Sequence, residues 1–340
     1  EAKSKEDSLA VVLAGKKDGE KWLGEMRQLQ LRTREFGRWQ QQKAAKLSAS
    51  AQQAQLEPLC VQMNDASLCL AGDWRKEEQR WQASVQADAL PLQQLQRFLP
   101  PEMTVSGVLN LDAEAAGQGA VLQQARVLGE TPGLQLNFAA SGASAQNLVW
   151  KSHRLEAHYE AERLQASWEN ELTDGSTLSA QLNSSRFPLL GVDVNQAPIQ
   201  GQADIDIRSL TFLNALTNQQ TRWTGMLHGN IEVNGTIVRP LISGDIALAD
   251  GEVLVPELGL RLNPITLAIN GTEGVLQAQA ELHSQKGQLQ VEAGVDLSGQ
   301  QPVFLPITVQ GDTFRVANQP GLVVEISPDL EVRFADNRID

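Results

Sequence analysis

The chain has 340 residues, with 28 Lys and Arg against 41 Asp and Glu, for a net charge of −13 at pH 7. That balance excludes non-specific nucleic-acid binding, which needs a basic face to displace counterions. Hydrophobic residues reach 41% but aromatics only 5%, and no apolar run approaches the roughly 18 residues that cross a membrane as a helix. The sequence opens at Glu1 and stops at Asp340 inside a strand-like pattern, so it reads as a fragment of a longer parent. Charge is uneven along it. Residues 1–46 hold 11 Lys/Arg against 7 Asp/Glu. Solvated strand edges that use Lys and Arg to block edge pairing explain this lead-in; contact with an anionic membrane surface is the other reading.

In chain order, Leu9, Val11 and Leu13 alternate as one strand, Leu29 and Leu31 as a second, and Leu47, Ala49 and Ala51 as a third. Cys60 and Cys69 follow in LCVQMNDASLCL, where Asn64-Asp65 signals a turn and alternation on both sides places the cysteines opposite each other. A disulfide or two buried thiols both satisfy this pattern. With no histidine nearby, zinc does not. A disulfide here would imply an oxidising compartment. The stretch DALPLQQLQRFLPP predicts a short helix over 89–99, with Asp88 as N-cap, Leu92, Leu95 and Leu99 on one face, and Pro100 as the stop. Strands then fit Val105 to Leu111, Leu134 to Phe138, Leu155 to Tyr159 and Leu178 to Leu182. A second helix is expected over 209–219, with Ser209 as cap and Leu210, Leu213 and Leu216 on one face.

From Gly225 the period-2 signal is strong. Ile231 and Val233, then Ile246 and Leu248, Val253 and Val255, Leu258, Leu260 and Leu262, and Ile265, Leu267 and Ile269 alternate with polar residues. Leu276, Ala278 and Ala280, then Leu289 and Val291, Val295 and Leu297, and Ile307 and Val309 continue the pattern. Asp174-Gly175, Asn234-Gly235, Asp250-Gly251 and Asn270-Gly271 are read as tight hairpin turns, because type I′ turns need positive φ. The fold class is therefore all-β, a long antiparallel meander interrupted by short helices. An internal repeat runs through it. Ala83, Val85, Leu90 and Leu92 match Ala203, Ile205, Leu210 and Phe212, and Gly107, Leu109 and Leu111 match Gly229, Ile231 and Val233. This divides the chain into 1–88, 89–208 and 209–340.

No catalytic constellation is legible. His153 and His158 stand five apart on a strand and so face opposite sides. No HExxH, GxSxG, Walker A or GxGxxG spacing occurs. Asn183, Asn234 and Asn270 open Asn-x-Ser/Thr sequons, of which the last two fall in Asn-Gly dipeptides. Neither a metal nor a cofactor is expected, and the chain is not read as an enzyme.

The stretches GNIEVNGTIVRPLISGDIALADGEVLVPELGLRLNPITLAING and GLVVEISPDLEVRF resemble the AsmA-like/TamB family, as does the succession Trp22, Trp39, Cys60, Cys69-Leu-x-Gly-x-Trp74. The resemblance covers most of the chain, is strongest from about residue 220, and reads as a central to C-terminal part of such a protein. It implies a β-sheet folded into an elongated, taco-like groove with an apolar interior. It further implies a periplasmic bridge, anchored through its parent in the inner membrane of a Gram-negative bacterium and partnered by an Omp85-type outer-membrane barrel (TamA). Phospholipid transport to the outer membrane, or assembly of outer-membrane proteins and autotransporters, is the implied task. The physics of the pattern agrees with a conduit. Roughly 20–25 strands at about 4.8 Å spacing carry one apolar face far larger than the few hundred Å² that soluble monomers expose. A two-chain lipid of about 30 CH₂ groups costs some 24 kcal/mol to place in water, so sliding along a continuous apolar groove is the available route. The expected lining is Ile231, Val233, Ile246, Leu248, Leu260, Leu262, Ile265, Leu267, Ile269, Leu289, Val291, Val295, Leu297, Ile307 and Val309, with acyl chains as the ligand.

Overall fold

The computed structural model describes residues 7–34, 36–100, 103–138, 146–188, 194–216, 221–299, 301–335 and 338–339. Its strands are β1 (Ser8–Asp18), β2 (Lys21–Thr33), β3 (Gly37–Gln41), β4 (Ala45–Ala49), β5 (Gln53–Met63), β6 (Ala66–Arg75), β7 (Arg80–Pro91), β8 (Met103–Ser106), β9 (Val108–Gln118), β10 (Val121–Glu130), β11 (Gln135–Phe138), β12 (Gln146–Glu160), β13 (Arg163–Leu172) and β14 (Thr177–Ser184). There follow β15 (Gln200–Ile207), β16 (Arg222–Thr236), β17 (Arg239–Val255), β18 (Leu260–Thr272), β19 (Val275–His283), β20 (Gln288–Asp296), β21 (Val303–Phe304), β22 (Ile307–Asp312), β23 (Phe314–Gln319), β24 (Leu322–Ile326), β25 (Asp329–Val332), β26 (Phe334–Ala335) and β27 (Arg338–Ile339). Twenty-three of them form one sheet. The expected all-β antiparallel meander is thus observed: β14 through β20 each pair antiparallel with the next strand in sequence.

The chain divides into two compact units. One comprises residues 1–135, 152–167 and 186–192, the other 136–151, 168–185 and 193–340. In the first, β1 pairs β2, β2 pairs both β3 and β4, and β4 leads through β5, β6 and β7 to β9 and β10. Asn64, at φ 52°, turns β5 into β6, and a disulfide joins Cys60 to Cys69. The two are directly opposed and continue the line to Gln86. The disulfide therefore sits on the polar face of the hairpin, one residue out of step with Leu59 and Leu70.

Three of the expected glycine turns are not turns. Asp174-Gly175 does turn the chain: the Asp174 carboxylate accepts from the Ser176 amide at 2.8 Å, and Gly175 has φ 83°. Asn270-Gly271, in contrast, lies inside β18, and the turn to β19 is made by Glu273-Gly274, both at positive φ. Asn234-Gly235 lies inside β16, opposite Leu241 and Pro240. The tip between Thr236 and Arg239 is Ile237-Val238, and its amides are donated to the Ala197 and Asn195 carbonyls, which satisfies an apolar turn that water would otherwise have to solvate. Asp250-Gly251 is a bulge within β17, with Asp250 at φ 51°.

The helices are shorter than expected. Leu92–Phe98 is a 3-10 helix whose N-cap is Pro91, and Asp88 stays in β7 opposite Ser67. A 3-10 repeat aligns every third residue, so Leu92 and Leu95 continue to Phe98 instead of Leu99, which is the extended C-cap. Ser209 does cap the second segment through Thr211, which runs as a 3-10 turn, Leu210–Phe212, and one α-helical turn, Leu213–Leu216. Residues 217–219 of that expectation lie outside the described residues.

Candidate functional site

Residues directly opposed in an antiparallel pair share a face of the sheet, so the strand registers trace lines of side chains across the sheet. In the second unit one line runs Ile207, Leu227, Leu248, Leu267, Ala280, Val291, Val309 and Leu330. A neighbouring line runs Leu178, Ile205, Gly229, Ile246, Ile269, Ala278 and Ala293. A third runs Ala180, Ala203, Ile231, Gly244, Gly271, Leu276, Val295 and Phe304. Val233 lies opposite Ile242 and Gly201, Ile265 opposite Leu282, which faces Leu289, and Ile307 opposite Val332. The expected lining residues of these strands thus fall on one face. Leu297 follows β20 in the same alternation and donates its amide to the Gly274 carbonyl.

Leu260 and Leu262 reach this face by a different route. The β17 bulge adds one residue beside β16, and β18 compensates between Leu262 and Ile265. Trp223, Val253 and Leu262 therefore align beside Leu227, Leu248 and Leu267, and Leu260 opposes Val255. Without the bulge, the odd spacing from Leu248 to Val253 would send the valine to the wet face. Val253, Leu260 and Ile265 are the buried members of the set.

The opposite face is polar. Asp204, Asn230, Asp245, Asn270 and Gln277 form one of its lines, and Asn230 donates to Asp204 at 2.7 Å. Near the strand ends Arg261 forks onto Glu252 at 2.9 and 3.0 Å and Asn263 adds a third donor, which together hold the Glu252 carboxyl below the usual carboxylate range.

The first unit repeats the arrangement with smaller residues. One line runs Gly24, Leu47, Leu56, Gly72, Ala83, Ala115, Ala125 and Tyr159, and another runs Leu70, Val85, Ala113, Val127 and Ala157. At one margin Trp22, Ala49, Ala54, Trp74, Trp81 and Gly117 align. A Cβ at Gly15 or Gly24 would overlap the Trp22 ring, and one at Gly117 the Trp81 ring, so these glycines are the seats of the indoles. An open hollow of about 650 Å³ in this unit has Asp73, Glu114, Arg126 and His158 among its lining and belongs to the polar side. His158 opposes Arg126 there, whereas His153 shares the parity of Leu155 and Tyr159, and burial pushes its imidazole down. Among the described residues no three His, Cys, Asp or Glu side chains converge as a metal site.

The apolar faces are not sealed by a packed core. Among the described residues, the side chains less than 2% exposed are the small ones of Ala87 and Ser176. The chain exposes 21155 Å², whereas two separate compact globules of half its mass would together expose about 16,000 Å². Leu227, Leu248, Leu267, Val291 and Val309 are all half-buried.

The TamB N-terminal domain model matches residues 1–248. The chain belongs to the TamB family. The match lies earlier in the chain than the stretch in which the resemblance reads most strongly, and residues 249–340 fall outside it. TamB-family proteins are components of the cell envelope, and among the described residues no helix is long and apolar enough to cross a membrane. No curated protein and no solved structure matches the chain.

The sequence pattern missed Leu227, Ile242, Leu282 and Leu330 on the apolar face, and the whole apolar face of the first unit. A signal existed: Leu227 precedes Gly229 and Ile231 at period 2. In the first unit Ala and Gly hold so many inward positions that alternation in hydropathy almost vanishes.

Proposed function

We propose that this TamB-family chain is a segment of a periplasmic conduit whose apolar sheet faces carry phospholipid acyl chains between the inner and outer membranes. The observation that carries the proposal is the unbroken apolar line from Ile207 to Leu330, half-buried as far as Val309 and exposed at Leu330, with a polar line on the reverse of the same strands. An acyl chain lying across such a line exchanges one aliphatic neighbour for the next, so its free energy stays nearly level as it moves. Leu, Ile, Val and Ala offer dispersion contact without the fixed geometry of stacked rings, which suits a flexible ligand. No phosphate-binding nucleotide motif is present in the sequence, and the driving force is assigned to other components of the envelope.

The test is a photo-crosslinking amino acid at Leu248 and, separately, at the adjacent Ala247. Phospholipid adducts at 248 and none at 247 support the conduit; equal labelling, or none at either, refutes it.

A second reading, a scaffold for outer-membrane β-proteins acting with an Omp85-type barrel, rests on β1. Among the described residues β1 pairs with β2 alone, and Leu9, Val11, Val12 and Leu13 are exposed on both of its faces. A sheet edge of that kind can accept a further strand. Val12→Pro should abolish crosslinking of substrate proteins and spare lipid adducts; the reverse result removes this reading.

A further inference from the structure

The acidic chain carries one strongly basic, aromatic tip. Between residues 26 and 46 it has Arg27, Arg32, Arg34, Arg38, Lys43 and Lys46 against Glu35, residues 89–100 add Arg97 and no acid, and Asp7 joins the tip from just before β1, its carboxylate accepting from the Arg34 amide at 3.1 Å. Arg27 and Lys46 pair with Glu25 and Glu57 on the strand stems. Arg32 and Arg38 oppose each other just below the β2–β3 turn, at whose end Phe36 stands. Phe36 is fixed in place: its amide donates to Thr33 Oγ1 at 2.8 Å and its carbonyl accepts from Trp39 Nε1 at 2.8 Å.

The 3-10 helix, Leu92–Phe98, meets this tip. Its threefold repeat puts Leu92, Leu95 and Phe98 on one edge. That edge emerges from the protein along its length, with Leu92 buried, Leu95 48% exposed and Phe98 68% exposed. The Arg97 guanidinium lies 4.8 Å from the centre of the Phe36 ring and 4.5 Å from that of Phe98. Two phenyl rings therefore flank a cation at the surface, with two further arginines on the adjoining hairpin.

We infer that this tip docks on an anionic phospholipid bilayer surface, with Phe36, Leu95 and Phe98 entering the headgroup region and Arg32, Arg38 and Arg97 engaging lipid phosphates. Charge complementarity selects the occupant: a tongue of this sign on a protein of net charge −13 is attracted to a negative leaflet while the rest of the chain is held off it. Arginine suits the role, since its planar fork matches phosphate oxygens and is weakly hydrated. Aromatic and leucine side chains beside basic ones are the composition of interfacial anchors. This docking is separate from carriage of acyl chains along the apolar faces.

Flotation of the full chain with phosphatidylcholine vesicles, with and without 30% phosphatidylglycerol, tests the inference. Binding is expected to the anionic vesicles only. The triple variant R32Q/R38Q/R97Q should lower it about 100-fold, at roughly five-fold per charge, and F36S/F98S should lower it at least ten-fold. R163Q/R333Q, equal in kind of charge change but distant in sequence, should bind as the parent does. Leu267→Asp, which alters the apolar face, should also float normally, so failure of the conduit and failure of this inference are distinguishable. Absence of binding to anionic vesicles, or tip variants that bind like the parent, overturns the proposal. Retention by an acidic protein column but not by anionic vesicles would equally overturn it in favour of a protein partner. The substituted side chains are exposed, and unchanged circular dichroism confirms that loss of binding is not loss of fold.

Discussion

Replacing Leu267 with Asp, and separately its neighbour Ala268 with Asp, tests the two-faced sheet with a single-residue step. Leu267 stands between Leu248 and Ala280 on the apolar face, whereas Ala268 lies between Ala247 and Gln279 on the reverse. A carboxylate facing hydrocarbon costs about 2.5–3.5 kcal/mol, and about 40 Å² of lost leucine contact adds roughly 1 kcal/mol. Together these, about 3.5–4.5 kcal/mol, predict local acyl-chain occupancy lower by roughly 300- to 1,500-fold for Leu267→Asp. Ala268→Asp puts its charge on the polar face and should leave occupancy unchanged. Both sites are on the surface of the sheet, so the effect on folding is expected to be comparable for the two. A photo-crosslinker at Ile246, which shares the apolar face, reads occupancy directly, with phosphorus per chain as a second readout. Equal occupancy in the two variants would refute the assignment of faces to ligand.

Other parts of the molecule give further expectations. Cys60→Ser with Cys69→Ser should cost about 2–3 kcal/mol, the loop-closure value for a ten-residue loop, and should leave lipid content intact because the disulfide is on the polar face; thermal melts with and without reductant check this. Gly259→Ala should destabilise the second unit by about 2–3 kcal/mol, since φ is 60° there and a Cβ would collide with the Asn318 carbonyl; a neutral denaturation midpoint would contradict it. Lys286 and Arg315 each donate to Glu325 at 2.9 Å and hold its carboxyl below the usual range. A depressed carboxyl stabilises the fold above its unfolded pKa and loses that contribution as pH falls through the folded value. Amide protection factors in β23 and β24, corrected for the intrinsic exchange rate at each pH, should therefore fall on acidification from neutral pH toward and below the ordinary carboxylate range, and Glu325→Gln should flatten the dependence.

The meander was legible because period-2 alternation from Ile231 to Val309 reports directly on which residues share a face. What the pattern could not resolve was where each strand ends. A dipeptide such as Asn270-Gly271 is compatible with a tight turn, but nothing local says that Glu273-Gly274, three residues on, will adopt the positive φ values instead. The Asp250-Gly251 bulge is likewise visible only once β16 and β18 are in place on either side. The repeat was found with the wrong register after its helix. By strand pairing, Ala113 opposite Val85 corresponds to Gly229 opposite Ile205, and Gly107 corresponds to Gly225, each at positive φ nine residues beyond the end of its helix. The match of Gly107 to Gly229 followed similar hydropathy where the geometry follows backbone conformation. The helix over 92–98 shows the same limit: Leu92, Leu95 and Leu99 fit an α-helical period, but the 3-10 period selects Phe98 and so builds the aromatic tip.

The central claim is that the apolar faces hold phospholipid. Native mass spectrometry of the isolated wild-type chain tests it most directly, with the bound species identified after release. Adducts at phospholipid masses are expected to persist through mild detergent exchange and to disappear when Asp replaces Leu248, Leu267 and Val291 together. A folded chain that carries no phospholipid, or that carries the same load in the triple variant, would contradict it.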